Sequence, residues 1–460
     1  MVKSRKRDVD MTEGNIARHL ITFAIPLLLG NLFQQLYNTV DAWCVGQFAS
    51  NEAYSAVGSV GPVINILIGI FMGLASGAGV VISQYYGARQ YDKVQKAVHT
   101  AVALTLLLSA VFTVVGITCS PFMLHLMDMP DEVIPEATKY LTIYFAGVTG
   151  LLVYNMGAGI LRAIGDSRRP FIYLVVAAVL NTVLDLLFVA VLKWGVTGVA
   201  AATIIAQGVS ALLVLVTLFR SENCTKIHLK EIKISLTELK LTLRVGIPAA
   251  IQLAITAFSN VFVQSYINYF GVDCMSGWTT YVKLDQFMFL PMQSVSLAAT
   301  TFVGQNLGIG NVERAKKGVR VASYMSLICT AVIMIPLVSF APFFSNIFNS
   351  KPEVIEYSTI LLRWMSPFYL LCCFNQVYSS AQRGGGNSRA PMFIMLGSFV
   401  LFRQIYLYVM ANYICNEIVP IAMAYPAGWL LCSLINAIYY YTTPLDRHVV
   451  VEPGHKGETK

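Results

Sequence analysis

Arg162-Ala-Ile-Gly-Asp-Ser-Arg168-Arg-Pro170 is echoed 221 residues later by Arg383-Gly-Gly-Gly-Asn-Ser-Arg389-Ala-Pro391. The shared string R-x-x-G-[DN]-S-R-x-P exceeds what composition alone would produce. Other pairs keep an offset of 221–222 residues: Ile25-Pro26 with Ile247-Pro248, Asn38 with Asn260, and Gln84 and Gly87 with Gln305 and Gly308. The chain therefore reads as two sequence-related halves.

Composition says what kind of halves they are. Hydrophobic residues make up 56% of the 460 residues and charged residues 12%, about half the charged share of soluble proteins. So few charges cannot clothe a water-exposed surface, whereas a lipid-exposed one needs none. The apolar runs have the length of roughly 20 residues that a helix needs to cross a bilayer. Spans are expected near 18–45, 54–85, 97–121, 138–160, 170–192 and 196–219, then near 245–270, 276–304, 319–346, 357–381, 391–414 and 418–442. The predicted fold is an all-α integral membrane protein of twelve transmembrane helices in two six-helix bundles. Its parts are a cytoplasmic segment (1–17), an N-lobe (18–219), a cytoplasmic linker (220–244), a C-lobe (245–442) and a cytoplasmic tail (443–460). No cleavable signal is expected, because Asp8 and Asp10 follow the basic start and the first apolar run is too long.

The basic residues orient the spans. Of 32 Lys and Arg, 26 fall on one side: at the N-terminus (including Lys3, Arg5, Lys6 and Arg7), in alternate loops, in the linker and in the tail. The other side holds Lys139, Lys193 and Lys351 among acids such as Glu52, Asp128, Asp131, Glu132, Glu353 and Glu417. The positive-inside rule puts both termini in the cytoplasm, which demands an even number of spans. The net charge of +8 follows from this topology and does not point to nucleic acid. The nine Cys and six His show no C-x-x-C pair and no metal-ligand spacing, and no cofactor is expected.

Six spans per half is even, so both halves enter the membrane in one orientation and are related by a pseudo-twofold axis along its normal. Transporters use such repeats, with substrate handled between them. A duplicated scaffold without transport is the competing reading. A membrane enzyme would need paired acids, Cys or His with a nucleophile or metal motif at the boundary, and none appears.

Three acids fall inside apolar spans: Asp41, Asp185 and Asp285. A carboxylate in hydrocarbon needs a partner, a cation, a proton or water, which makes each a candidate functional group. Asp41 lies toward the outer end of span 1. Asp185 is fifteen residues beyond Pro170, roughly 22 Å up its helix, with Asn181 one turn below on the same face. Thr203 lies roughly 10 Å below the outer surface. Asp41, Asn181, Asp185 and Thr203 can thus share one depth. Their hard oxygens suit a small cation such as Na⁺, and two close carboxylates would equally make a proton carrier. Hydrogen bonding between helices, or water exposure of Asp41, would explain them without function. At the repeat offset the same positions hold Val263, Phe402, Tyr406 and Ala424, an asymmetry that argues for a single cation site. The second half has its own charges: Lys283, Asp285, Arg363 and Arg403. A neutralising contact of Asp285 with Lys283 or Arg403 is expected, and a coupling role for Asp285 is the alternative.

The segments A-I-P-x-x-x-G-N-L-F-Q-Q-L-Y-N-T-V-D (24–41), S-Q-Y-Y-G-A-R (83–89), L-R-A-I-G-D-S-R-R-P (161–170), N-T-V-L-D (181–185) and G-V-T-G-V-A-A-A-T (195–203), with the C-half strings, resemble the multidrug and toxic compound extrusion (MATE) family. The resemblance covers roughly residues 15–440. It implies an antiporter that exports organic, often cationic, compounds in exchange for Na⁺ or H⁺, with alternating access around a central cavity. It also implies a cation site at Asp41, Asn181, Asp185 and Thr203. Spans 7 and 10 lack the acids of the NorM-like branch, so the chain looks closer to the DinF-like and MepA-like members. Gln34, Tyr37, Asn38 and Asn155 join Asp285 as candidates for the cavity or for coupling. A flippase or exporter for a lipid-linked or amphipathic metabolite is the alternative function. The expected partners are small-molecule substrates and the lipid bilayer of the plasma membrane, with the protein acting as a monomer.

Overall fold

A computed structural model describes residues 9–48, 56–57, 60–126, 129 and 132–452 of the chain. The expected charges at Lys3, Arg5, Lys6, Arg7, Asp8, Glu52, Asp128, Asp131, Lys456 and Lys460 lie outside these residues. Among them the regular structure is entirely helical.

The N-terminal half comprises α1 (Ile16–Phe48), α2 (Gly61–Gly87), α3 (Tyr91–Leu126), α4 (Ile134–Ala146), α5 (Val148–Ala163), α6 (Arg168–Asp185, continued by the π-helix Leu186–Val191) and α7 (Gly195–Phe219). The C-terminal half comprises α8 (Leu236–Asn268), α9 (Val272–Gly308), α10 (Val312–Ser339), α11 (Ala341–Phe348), α12 (Pro352–Met365), α13 (Tyr369–Gly384), α14 (Arg389–Met395), α15 (Arg403–Val409), α16 (Ile418–Ala422) and α17 (Ala424–Thr442). Ten helices are long and apolar enough to cross a membrane, and α4 with α5 makes an eleventh, bent by 47°. The span expected near 357–381 is divided between α12 and α13 by a 3₁₀ turn at Ser366–Phe368, so neither piece has crossing length alone.

The halves repeat even in their irregularities. The fourth span of the first half breaks at Gly147 and that of the second at Ser366–Phe368, positions that coincide at the repeat offset. A side chain at Gly147 would collide with Ile204 of α7, so the bend seats tightly on its neighbour. The fifth span carries π-helix in both halves, at Leu186–Val191 in the first and at Leu396–Phe402 and Met410–Ile414 in the second. The π geometry frees or shifts backbone hydrogen bonds and is frequent at functional sites.

The repeated string now has a physical explanation. Gly165 and Gly386 hold φ of +90° and +87°, the region in which a Cβ is strained. Each also lies against a carbonyl, that of Val9 for Gly165 and that of His448 for Gly386. The next residue caps the following helix. Asp166 Oδ1 accepts from the N–H groups of Arg168 and Arg169 (3.1 and 3.2 Å), and Asn387 Oδ1 accepts from that of Ala390 (3.2 Å). This satisfies donors that a helix start leaves open. Asp166 also pairs with Arg169 Nε at 2.9 Å.

The chain resolves into two compact units. One takes Leu29–Ile247 together with the start of the chain, the other Met11–Leu28 and Pro248–Lys460. Both α1 and α8 therefore begin in one unit and end in the other, and Pro26 and Pro248 stand at the crossing points while the helices run through them. In the first unit Gly77 of α2 and Gly246 of α8 meet backbone to backbone, leaving no room for a Cβ on either. In the second, the stretch before α1 is anchored at Met11, whose side chain is fully buried. Its N–H donates to Gln305 Oε1 (3.0 Å), and its carbonyl accepts from Asn306 Nδ2 and from Arg314 (3.2 Å).

Candidate functional site: a carboxylate pair bridged by an amide

Asp41 on α1 and Asp185 at the C-terminal end of α6 meet through Asn181. With its amide nitrogen facing the acids, Asn181 donates to Asp41 Oδ1 at 2.7 Å and to Asp185 Oδ2 at 3.3 Å. Asn181 and Asp185 are one turn apart on α6, which is why one amide reaches both. Asp185 is fully buried, Asn181 nearly so, and Asp41 partly exposed. The two carboxyl groups also lie within electrostatic reach of each other. Asp185 Oδ1 is buried and has no hydrogen-bond partner.

An orphaned carboxylate oxygen away from water costs a few kcal/mol unless something neutralises it. Two bare carboxylates in contact also repel. A positive charge between them, either a proton shared by the pair or a small cation, would relieve both penalties. The π-helix begins at the residue after Asp185, so irregular backbone adjoins the site.

Tyr37 and Tyr140 stand within electrostatic reach of the acids, with Tyr144 beside them. Tyr37, one turn before Asp41, lies within electrostatic reach of Asp41, Asp185, Tyr140 and Tyr144. Tyr140 and Tyr144 on α4 stack at 6.1 Å, and the Tyr144 hydroxyl reaches Gln207 of α7. Tyr37 was expected near a cavity, but Tyr140 and Tyr144 were not singled out. Their signal is the i, i+4 spacing on one face of a span, which tyrosine shows often without function.

The other candidates are placed as follows. Thr203 is buried on α7, the helix packed on α6. Its hydroxyl donates to the Val199 carbonyl (2.9 Å), and it makes no hydrogen bond to either acid. Asn155 spends its amide on the Leu151 carbonyl (2.9 Å) and does not join the cluster. Gln34 lies two turns before Asp41 and is exposed. The side chain of Asn38 lies outside the described residues. Among the described residues no three His, Cys, Asp or Glu side chains converge as metal ligands.

In the second half the expected neutralising contacts of Asp285 are not formed. Lys283 lies over the Phe348 ring at 5.4 Å, because residues two apart on a helix face different ways. Arg403 is held by Ser259 Oγ (2.7 Å) and Asn260 Oδ1 (2.9 Å) and stacks on Tyr425 at 4.6 Å. Among the described residues, Asp285 keeps only the Tyr281 hydroxyl as a hydrogen-bond partner, at 3.5 Å.

The repeat agrees with what known proteins show. The MatE family profile matches twice, over residues 26–187 and 248–409, two blocks of equal length at the offset read from the sequence. Probable multidrug resistance protein YpnP of Bacillus subtilis is 28% identical over 437 residues, covering 94% of this chain and 96% of that protein. Probable multidrug resistance protein YoeA of the same organism is 28% identical over 436 residues, covering 93% and 94%. A MOP superfamily transporter from Pyrococcus furiosus has the same fold, with a TM-score of 0.90, 23% identity and coverage of 96% and 98%. The chain is a multi-pass membrane protein and belongs to the MatE family of multidrug efflux transporters.

Proposed function

We propose that the protein is a secondary antiporter that exports organic, cationic or amphipathic compounds in exchange for Na⁺ or H⁺ by alternating access. The observation that carries this reading is the Asp41–Asn181–Asp185 cluster with its unpartnered Asp185 oxygen. Coupling requires that ion and substrate favour different conformational states. A carboxyl pair whose contact depends on the charge between it provides such a bias. A proton on the pair permits the direct contact of Asp41 and Asp185, whereas its loss forces them apart. For Na⁺, a half-turn of the Asn181 amide would exchange its donor for an acceptor oxygen beside the two carboxylates, with the Thr203 hydroxyl on the neighbouring helix. Both termini and the basic loops face the cytoplasm of the plasma membrane in this reading, as the positive-inside pattern requires.

The test is efflux of a fluorescent organic cation from reconstituted vesicles under an imposed Na⁺ or pH gradient. Wild-type protein drives efflux with one of the two gradients, and Asp41→Asn and Asp185→Asn do not. Unchanged gradient-driven efflux in both variants would remove the cluster from the mechanism.

A further inference from the structure

Where α1 and α10 begin, a cavity of about 590 Å³ opens between them, a size typical of small-molecule sites. The start of α1 belongs to the same compact unit as α10, so both walls of the cavity lie in one unit. Three charged side chains line it, all in the first two turns of α10: Glu313, Arg314 and Lys317. The carbonyls of Met11 (3.2 Å) and Glu13 (2.8 Å) fix the Arg314 guanidinium at the wall. Glu313 and Lys317 stand one turn apart, the spacing at which Glu and Lys commonly pair. Here, among the described residues, they form no ion pair with each other, and both are exposed. The caps Asn15 and Asn311 also line the cavity, accepting from the N–H groups of Arg18 (3.0 Å) and Arg314 (3.1 Å). The positive ends of two long helices therefore add to its field.

The cavity lies at the ends of two membrane spans, the level at which lipid headgroups sit. Below its charged mouth the walls turn apolar, with Ala17 on α1 and Val321 on α10. Ile21 and Ile25 continue the face of Ala17, and Tyr324 and Ile328 that of Val321, and all four are exposed. A soluble ligand would meet the charges and leave these faces bare, whereas a lipid covers both. The charges also choose the headgroup. A bare phosphate would suit Arg314 and Lys317 and be repelled by Glu313, whereas a phosphate joined to an ammonium suits all three.

We propose that this cavity binds a glycerophospholipid with a primary amine in its headgroup, phosphatidylethanolamine. The phosphate lies at Arg314 and Lys317, the ammonium at Glu313, and the acyl chains along the exposed faces of α1 and α10. Charge-assisted hydrogen bonds hold both ends of the headgroup, and basic recesses between membrane helices suit lipid headgroups. A choline headgroup offers Glu313 no N–H, and a glycerol headgroup offers it no cation. The assignment goes beyond the exporter reading and does not depend on the cargo or the coupling ion.

Native mass spectrometry of the purified full chain tests it, by counting retained lipids that share acyl chains and differ in headgroup. The expected result is one retained phosphatidylethanolamine, bound about tenfold tighter than phosphatidylcholine or phosphatidylglycerol. Lys317→Gln weakens all three about tenfold, since each carries the phosphate. Glu313→Gln abolishes the preference for ethanolamine and strengthens phosphatidylglycerol. Both substitutions are at exposed positions, and no ion gradient is involved, so the outcome is separate from that of the efflux assay. Equal retention of the three lipids by wild-type protein, unchanged retention in Lys317→Gln, or a preference for ethanolamine that survives Glu313→Gln would overturn the proposal. Displacement of the lipid by an equal concentration of free phosphoethanolamine would also overturn it, because the cavity would then serve a soluble ligand.

Discussion

The two halves share a scaffold and differ where the first carries its acids. In the N-terminal half, Asp41, Asn181 and Asp185 converge with one buried carboxylate oxygen left over. At the same positions of the C-terminal half, Val263 and Ala424 are fully buried core. Phe402 and Tyr406 pack ring to ring at 6.4 Å, and the Tyr406 hydroxyl donates to the Pro420 carbonyl (3.2 Å). Every polar atom of that set has a structural partner. By contrast, the helix-capping string with its left-handed glycine is kept in both copies. The two copies share what folds the span and differ in the acids of the first half.

The comparison can be broken in several ways. Asp185→Asn should cost the most, at least a hundredfold in gradient-driven efflux, equivalent to about 2.7 kcal/mol, with the protein still folded. Loss of folding in place of loss of coupling would make Asp185 a structural residue like its counterpart Tyr406. Gly165→Ala and Gly386→Ala should each lower stability by about 2 kcal/mol, since both put a Cβ in the left-handed region against a carbonyl. Thermal melts in detergent that show a loss for one and not the other would mean the two copies of the string no longer do the same work. Asn181→Ala should reduce coupled efflux about fivefold, the worth of roughly 1 kcal/mol of hydrogen bonding to the acids. Tyr406→Phe removes one hydroxyl bond and should cost about 0.5–1 kcal/mol in stability. It should leave the efflux-versus-gradient relation unchanged.

Much of this was readable from the residues, for physical reasons. The repeat showed because glycine with positive φ and an Asp or Asn cap tolerate few substitutes, so the string around Gly165 and Gly386 stayed recognisable. Asp41, Asn181 and Asp185 stood out because a carboxylate in an apolar span must be compensated. The breaks of the fourth and tenth spans did not. Pro121, Pro291 and Pro336 sit inside continuous helices, so neither Pro367 nor Gly147 advertised a break by residue type. Tyr140 and Tyr144 were hidden by the frequency of tyrosine in membrane helices. Charge alone points Asp285 toward Lys283 or Arg403, and neither contact forms. Helix geometry turns Lys283 away, and Ser259 and Asn260 of α8 hold Arg403.

The central claim is that Asp41 and Asp185 act as one ion-carrying unit. A double-mutant cycle on gradient-driven efflux, comparing Asp41→Asn, Asp185→Asn and the double variant, tests it directly. Groups that act as a unit are strongly non-additive, so the double variant should be no worse than either single one. Losses that multiply would show two independent contributions and contradict the account.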